Sequence, residues 1–196
     1  MKKEHLEVLT QAEQAAYYEV PDFNETQHYE FLTLDQSELD LVMSRSSWSA
    51  RVHCCLQIAY FKAVNLFFKV TWSEVSNKTI KFILEQYFYD QSIKLSKITD
   101  YEYYTQCAAI ARLCGFQMWE SQFSDSLLNK ANELAKLNIN QQFIALELLT
   151  YLKQQKIIRP QYTTLQSLII IAINSEKSRI NKLLMEQITP EESRLI

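Results

Sequence analysis

A single glycine, Gly115, in a chain of 196 residues is the feature that most narrows what can be built. Sheets and tight hairpins use glycine at positive-φ turn positions, whereas helices joined by polar loops need little of it. With only three prolines to interrupt it, the chain is expected to be all-α. Hydrophobic residues at 47%, with 12% aromatics, supply enough apolar surface for a core and argue against disorder. The length suits one sizeable core or two small ones.

The same scarcity excludes much chemistry. A phosphate loop, a dinucleotide fingerprint and a nucleophile elbow each need several glycines. His5, His28 and His53 are scattered, and none has Cys, Asp or Glu at ligand spacing. The run HCC at 53–55 points its three side chains in different directions on a helix, so no metal is expected there. Cys54, Cys55, Cys107 and Cys114 contain no CxxC pair and read as reduced, buried thiols. Paired acids such as Glu191 and Glu192 read as solvated charge. A non-catalytic chain with no cofactor and no metal is expected. No apolar run reaches the roughly 18 to 20 residues of a membrane span, and the first residues, MKKEHLEVLTQAEQ, lack the apolar centre of a signal peptide. The expectation is a cytoplasmic protein with no membrane contact.

Periodicity and capping residues place the helices. Thr10 with Glu13 forms a capping-box pattern opening a short helix that stops at Pro21. Residues 21–33 read as a loop with a turn of helix, and 34–43 as a short helix capped by Asp35 or Ser37. After the serine cluster, Trp48, Val52, Cys55, Leu56, Ala59, Tyr60, Ala63 and Phe67 define one face of a helix of about 20 residues, with Ser47 as its cap. Ser76 caps the next, with Ile80, Ile83, Leu84 and Tyr87 inward. Thr99 or Asp100 opens another, and Gly115 falls where its left-handed C′ residue is wanted. Helices follow over 124–137, with Leu127, Leu128 and Leu134 inward, and over 140–155, with Phe143, Leu146, Leu149 and Leu152 inward. Pro160 breaks this run and pushes Arg159 toward extended backbone. Thr163 or Thr164 caps the restart, whose inward face is Leu165, Leu168, Ile169, Ala172 and Ile173, continuing through Ile180, Leu183 and Leu184 with a bend at Asn174 and Ser175. Two helical subdomains with helix-turn-helix-like elements are expected, 1–95 and 96–196, the second carrying a turn-helix at 156–175.

The net charge of −3 hides a sorted distribution. Residues 4–40 hold ten acids and no Lys or Arg, residues 41–73 hold four basic residues and no acid, and residues 153–182 hold six basic residues and only Glu176. Two basic islands therefore follow an acidic lead-in. Each island contains a helix start rich in hydroxyls: SRSSWSAR at 44–51 and RPQYTTLQS at 159–167. Backbone amides at a helix start favour phosphate, and helix, sharp turn, helix is the arrangement of a helix-turn-helix reader. The candidate contacts to double-stranded DNA are Arg45, Ser47 and Arg51 at the first start, with Arg159, Tyr162, Thr163, Thr164 and Gln166 at the second. Gln166 suits adenine, and Arg159, Lys177, Arg179 and Lys182 suit backbone phosphate. The alternative is a helical protein–protein interaction module without DNA binding.

Five blocks in order carry a resemblance: LTQAEQAAYYEVP; HYEFLTLDQSEL; RVHCCLQI, with Arg51, Leu56 and Gln57 at the family's positions; IARLCGF, with Ile110, Gly115 and Phe116; and LKQQKIIRPQYTTLQSL. Together they resemble the N-terminal DNA-binding domain, formerly a domain of unknown function, of Tn-three family replicative transposases, from about residue 9 to the end. The chain departs from that pattern at His53 and Asn65, where the family usually has Gly, and at Gln106, where it often has His. The absent glycines suggest a helix packed at slightly greater distance. The resemblance implies recognition of transposon terminal inverted repeats in transposition and DNA recombination. It also implies a catalytic centre outside this chain, and contact with other domains of the same transposase. The chain would be a fragment of a mobile-element transposase or a free-standing remnant of one.

Overall fold

The computed structural model describes residues 8–89 and 93–187. Its elements are α1 (Gln11–Tyr18), α2 (Glu25–Phe31), α3 (Gln36–Met43), α4 (Trp48–Val64), α5 (Asn77–Tyr87), α6 (Asp100–Leu113), a 3-10 turn (Ser121–Phe123), α7 (Ser124–Leu137), α8 (Gln141–Gln154) and α9 (Tyr162–Gln187). The fold is all-α, with no strand among the described residues. Glu191, Glu192 and His5 lie outside those residues.

Two compact units form. One lies within residues 18–118, and the other joins residues 8–17 to residues 119–187. The boundary expected between 95 and 96 is displaced because α6 packs on α3 and α4. Ile110 and Ala111 of α6 are buried in the earlier unit, and the chain leaves it only after the close of that helix.

Within residues 18–118, α4 is the core helix, contacted by α2, α3, α5 and α6. Most capping expectations are met: Ser47 Oγ accepts the Ala50 N–H at 3.1 Å, Asp35 and Glu38 form a capping box, and Thr99 caps α6. A second capping box, Asn24 with Gln27, opens α2 inside the stretch expected to be mostly loop. Gly115 has φ 72°; its N–H reaches Arg112 O and that of Phe116 reaches Ala111 O, the paired bonds of a Schellman end. The helix from Ser47 is shorter than expected because Asn65 turns left-handed at φ 56°. Asn tolerates this left-handed region better than most residues with a side chain. Phe67 lies beyond the helix and stacks on Phe61 at 5.1 Å, and Trp48, expected inward, is 49% exposed.

The interior of this unit holds a polar stripe. Ser49, His53 and Gln57 recur every four residues on α4, and all are buried. Ser49 Oγ accepts the Ser96 N–H at 2.8 Å. His53 Nδ1 donates to Gln106 Oε1 at 2.7 Å, and its Nε2 accepts from the Gln57 amide at 3.2 Å. Gln57 also brackets Phe68, donating to its carbonyl at 2.7 Å and accepting its N–H at 3.1 Å. Gln106 closes the network by donating to Ala50 O at 3.0 Å. His53 and Gln106, the two interior departures from the resembling family, are thus each other's partners. The donor sequence requires a neutral imidazole carrying its proton on Nδ1.

In the second unit the first half of α9 packs on α7 and α8. Leu165, Ile169 and Ala172 meet Leu127, Ala131, Ile144 and Leu148, and Val8, Leu9 and Tyr17 join the same core. The face of α8 differs from the expected one. Ile144, Ala145, Leu148 and Leu152 are buried while Leu146 is 50% exposed, because apolar residues surround most of this helix and packing against α7 and α9 selects the phase. α8 ends on a Schellman turn with Lys156 at φ 54°, its N–H bonded to Lys153 O and that of Ile157 to Leu152 O. α9 is one helix of 26 residues that runs on through Asn174 and Ser175. Gln161 O accepts the first helical N–H groups, so Thr163 and Thr164 lie within the first turn instead of capping it.

Burial holds the His53 pKa below its usual 6.5, against the smaller raising effect of the Gln106 bond; burial lowers His28 in the same way. Between the folded and unfolded values the unfolded chain binds more protons, so stability rises with pH. The histidine contribution is complete above about 6.5 and is lost as pH falls below it. The denaturation midpoint should therefore drop between pH 7.5 and 5, with the His53 ring titrating below 6.5 by NMR. Titration at or above 6.5 would contradict a neutral buried imidazole.

Candidate nucleic-acid interface

At the junction of α3 and α4, three of the expected residues come together. Arg51 Nε donates to Arg45 O at 3.0 Å, and its guanidinium lies over the Trp48 ring, 4.8 Å from the centroid. Arg45 Nε donates to Leu41 O at 3.2 Å and its Nη2 to Ser44 Oγ at 2.9 Å. Backbone carbonyls and a hydroxyl therefore hold both guanidinium groups, and no carboxylate lies within ion-pair distance of either among the described residues. Ser47 is exposed with its hydroxyl committed to the cap. The amides of Trp48 and Ser49 precede the first helical bond, from Arg51 N to Ser47 O, and are of the kind that binds anions. A cleft of about 410 Å³ adjoins this start, lined by Ser44, Arg45, Ser46, Thr99 and Tyr101, with Glu102 as its acidic member.

The second helix start is assembled differently. Arg159 is half-buried, its guanidinium 3.6 Å from the centroid of the Tyr17 ring and bonded to Tyr17 O. The Tyr17 hydroxyl in turn donates to Pro160 O. This double clasp joins α1 to the turn before α9. Tyr162, expected as a DNA contact, is instead a core residue: it is 7% exposed, its ring lies edge-on to Tyr17, and its hydroxyl accepts the Leu9 N–H. Thr163 is exposed, and Thr164 and Gln166 are half-buried beside it.

Lys177, Arg179 and Lys182 do not join this start. They follow Tyr162 by 15, 17 and 20 positions, which places them about 22 to 30 Å along the helix at 1.5 Å per residue. Thr163, Ser167, Asn174 and Lys177 share one exposed face by their helical spacing. Arg179 is committed to Glu176 through two bonds of 2.8 and 2.6 Å, and this guanidinium holds the Glu176 carboxyl below the usual range. Lys182 lies 3.9 Å from Glu186 in an exposed pair. The basic island of residues 153–182 is therefore split between the two ends of α9. Lys153 and Lys156, both exposed and without an ion pair among the described residues, were not singled out by sequence and lie with the turn at 155–161. The signal for Lys156 is its left-handed backbone, which periodicity does not report.

Cys54, Cys55 and Cys107 are buried, and burial pushes Cys54 and Cys107 up to about 12. Both ring nitrogens of His53 are taken by glutamines.

Replacing Arg159 with Ala should lower the unfolding free energy of the protein by about 1 to 3 kcal/mol, the loss of a cation–π contact and a charged hydrogen bond, read by chemical denaturation. Unchanged stability would contradict the clasp and return Arg159 to a purely surface role.

Comparison with the curated proteins finds no match. A family model described as a domain of unknown function, DUF4158, matches residues 8–172. That span covers both units, from the residues just before α1 to the buried first half of α9, and the chain belongs to the DUF4158 family.

Proposed function

We propose that this protein binds double-stranded DNA, as the non-catalytic N-terminal part of a transposase that recognises terminal inverted repeats in the cytoplasm. The observation that carries the reading is the pair Arg45 and Arg51. They are held together at the start of α4 by carbonyl and hydroxyl partners, with no carboxylate pairing among the described residues, on a chain whose net charge is −3. Local field, not total charge, then governs encounter with a polyanion. The start of α9 is the second contact region, through Thr163, Thr164 and Gln166, with Lys153 and Lys156 flanking its turn and Lys177 further along the exposed face. Arg179 is weaker as a phosphate ligand because Glu176 already holds it.

The second reading is an interaction module for another protein, which other domains of the same transposase would also satisfy. It is favoured by Leu183, Leu184 and Met185, which are 42%, 50% and 79% exposed near the end of α9.

Fluorescence anisotropy on duplexes carrying the ends of the mobile element that flanks the gene separates the two. A DNA binder loses affinity steeply with salt, with a log–log slope of about −0.9 per phosphate contact. Arg51→Ala should weaken all duplexes alike, and Gln166→Ala should act mainly at one base step, at about 1 to 3 kcal/mol. No duplex binding at low salt would leave the interaction module as the better account.

A further inference from the structure

The polar stripe of α4 also builds a cleft that the duplex reading does not use. Residues 69–72, 74 and 97–98 line a space of about 530 Å³, together with His53 of α4 and Tyr103 of α6. That volume is in the usual range of small-ligand sites, roughly 300 to 1,000 Å³. Trp72 and Tyr103 both stand nearly perpendicular to the His53 ring, at 89° and 72°, with centroids 6.2 and 6.1 Å from it. Trp72 and Tyr103 are thus the two aromatic walls of the cleft, and each meets the imidazole edge to face. The wall at Trp72 is fixed, because its indole N–H donates to Ser96 O at 2.8 Å while Ser96 is itself held by buried Ser49.

The charges of the cleft are unequally committed. Lys69 is paired with Asp100 at 2.7 Å. Glu74 accepts the Thr71 N–H at 2.6 Å and the Thr71 hydroxyl at 2.9 Å. Lys97 is exposed and has no ion pair among the described residues, so it is the cation left to meet a ligand. Two aromatic walls with an unpaired ammonium at the rim suit a flat heteroaromatic ring bearing an anionic group.

We propose that this cleft binds a single unpaired nucleotide, its base against Trp72 and Tyr103 and its phosphate at Lys97. A base–aromatic stack of this kind contributes about 1 to 3 kcal/mol and tolerates any base. Such a nucleotide is either free in solution or part of an unpaired strand. The proposal does not rest on duplex binding by the two helix starts.

Calorimetric titration of the full chain tests it with three probes: 5′-dAMP, deoxyadenosine, and a 5′-phosphorylated deoxyadenosine tetranucleotide. Saturable binding of 5′-dAMP, tighter than that of deoxyadenosine, is expected if free nucleotides fit. Saturable binding of the tetranucleotide alone would assign the cleft to an unpaired strand. In either case Tyr103→Leu should weaken binding roughly 5- to 150-fold, the equivalent of one stack. Lys97→Glu, at an exposed position, should leave the melting temperature unchanged and weaken the phosphorylated probes but not deoxyadenosine. Absence of saturable binding by both phosphorylated probes would overturn the proposal, as would equal binding by wild type and Lys97→Glu. A duplex titration run alongside keeps the two readings separate: duplex binding without nucleotide binding overturns only the cleft.

Discussion

Hydrogen bonds made by three buried polar side chains on one helix organise the unit formed by residues 18–118. Burying Ser49, His53 and Gln57 is unfavourable unless every donor and acceptor is met. Each is met by another segment of the same unit. Ser49 holds Ser96, Gln57 holds both backbone groups of Phe68, and His53 holds Gln106 of α6. Irregular chain normally stays at the surface because its backbone groups need water. Here side chains of the core helix take the place of that water, which lets the segments around Phe68 and Ser96 pack closely and present a cleft with aromatic walls. The cost of this design is pH sensitivity, since the network accepts only a neutral imidazole.

Much of the helical framework was legible because it rests on local chemistry. Ser47, Asp35 and Thr99 cap the helices they precede, and Gly115 takes the one left-handed position for which glycine was available. What was not legible depends on distant partners. His53 and Gln57 are polar residues on a helix whose apolar spacing already looked complete, and nothing local announces Gln106 or Phe68. The grouping of α6 with α4 is long-range in the same sense, as is the phase of α8, where apolar residues on several sides leave the choice to packing.

The candidate interface divides along the same line. Arg45, Ser47 and Arg51 are close in sequence and lie together, since a short turn and a cap are enough to gather them. The second island was read as one cluster because its members are consecutive among the basic residues, with only Glu176 between them. A continuous α9 separates them instead, and its ends do different work. Arg159 clasps Tyr17, Tyr162 enters the core, and Arg179 pairs with the Glu176 carboxylate. Charge in sequence is therefore a poor guide to charge on offer. Arg45 and Arg51 differ from Arg179 in that their hydrogen bonds go to neutral oxygens and not to a carboxylate.

Hydrogen exchange at the Phe68 amide, in wild type and in Gln57→Leu, tests most directly whether the α4 stripe holds the irregular segments in place. The account predicts a slowly exchanging amide in wild type that becomes strongly accelerated in the variant along with its neighbours in 66–75, while the amides of α7 and α9 keep their protection. Equal protection of the Phe68 amide in both proteins would contradict it.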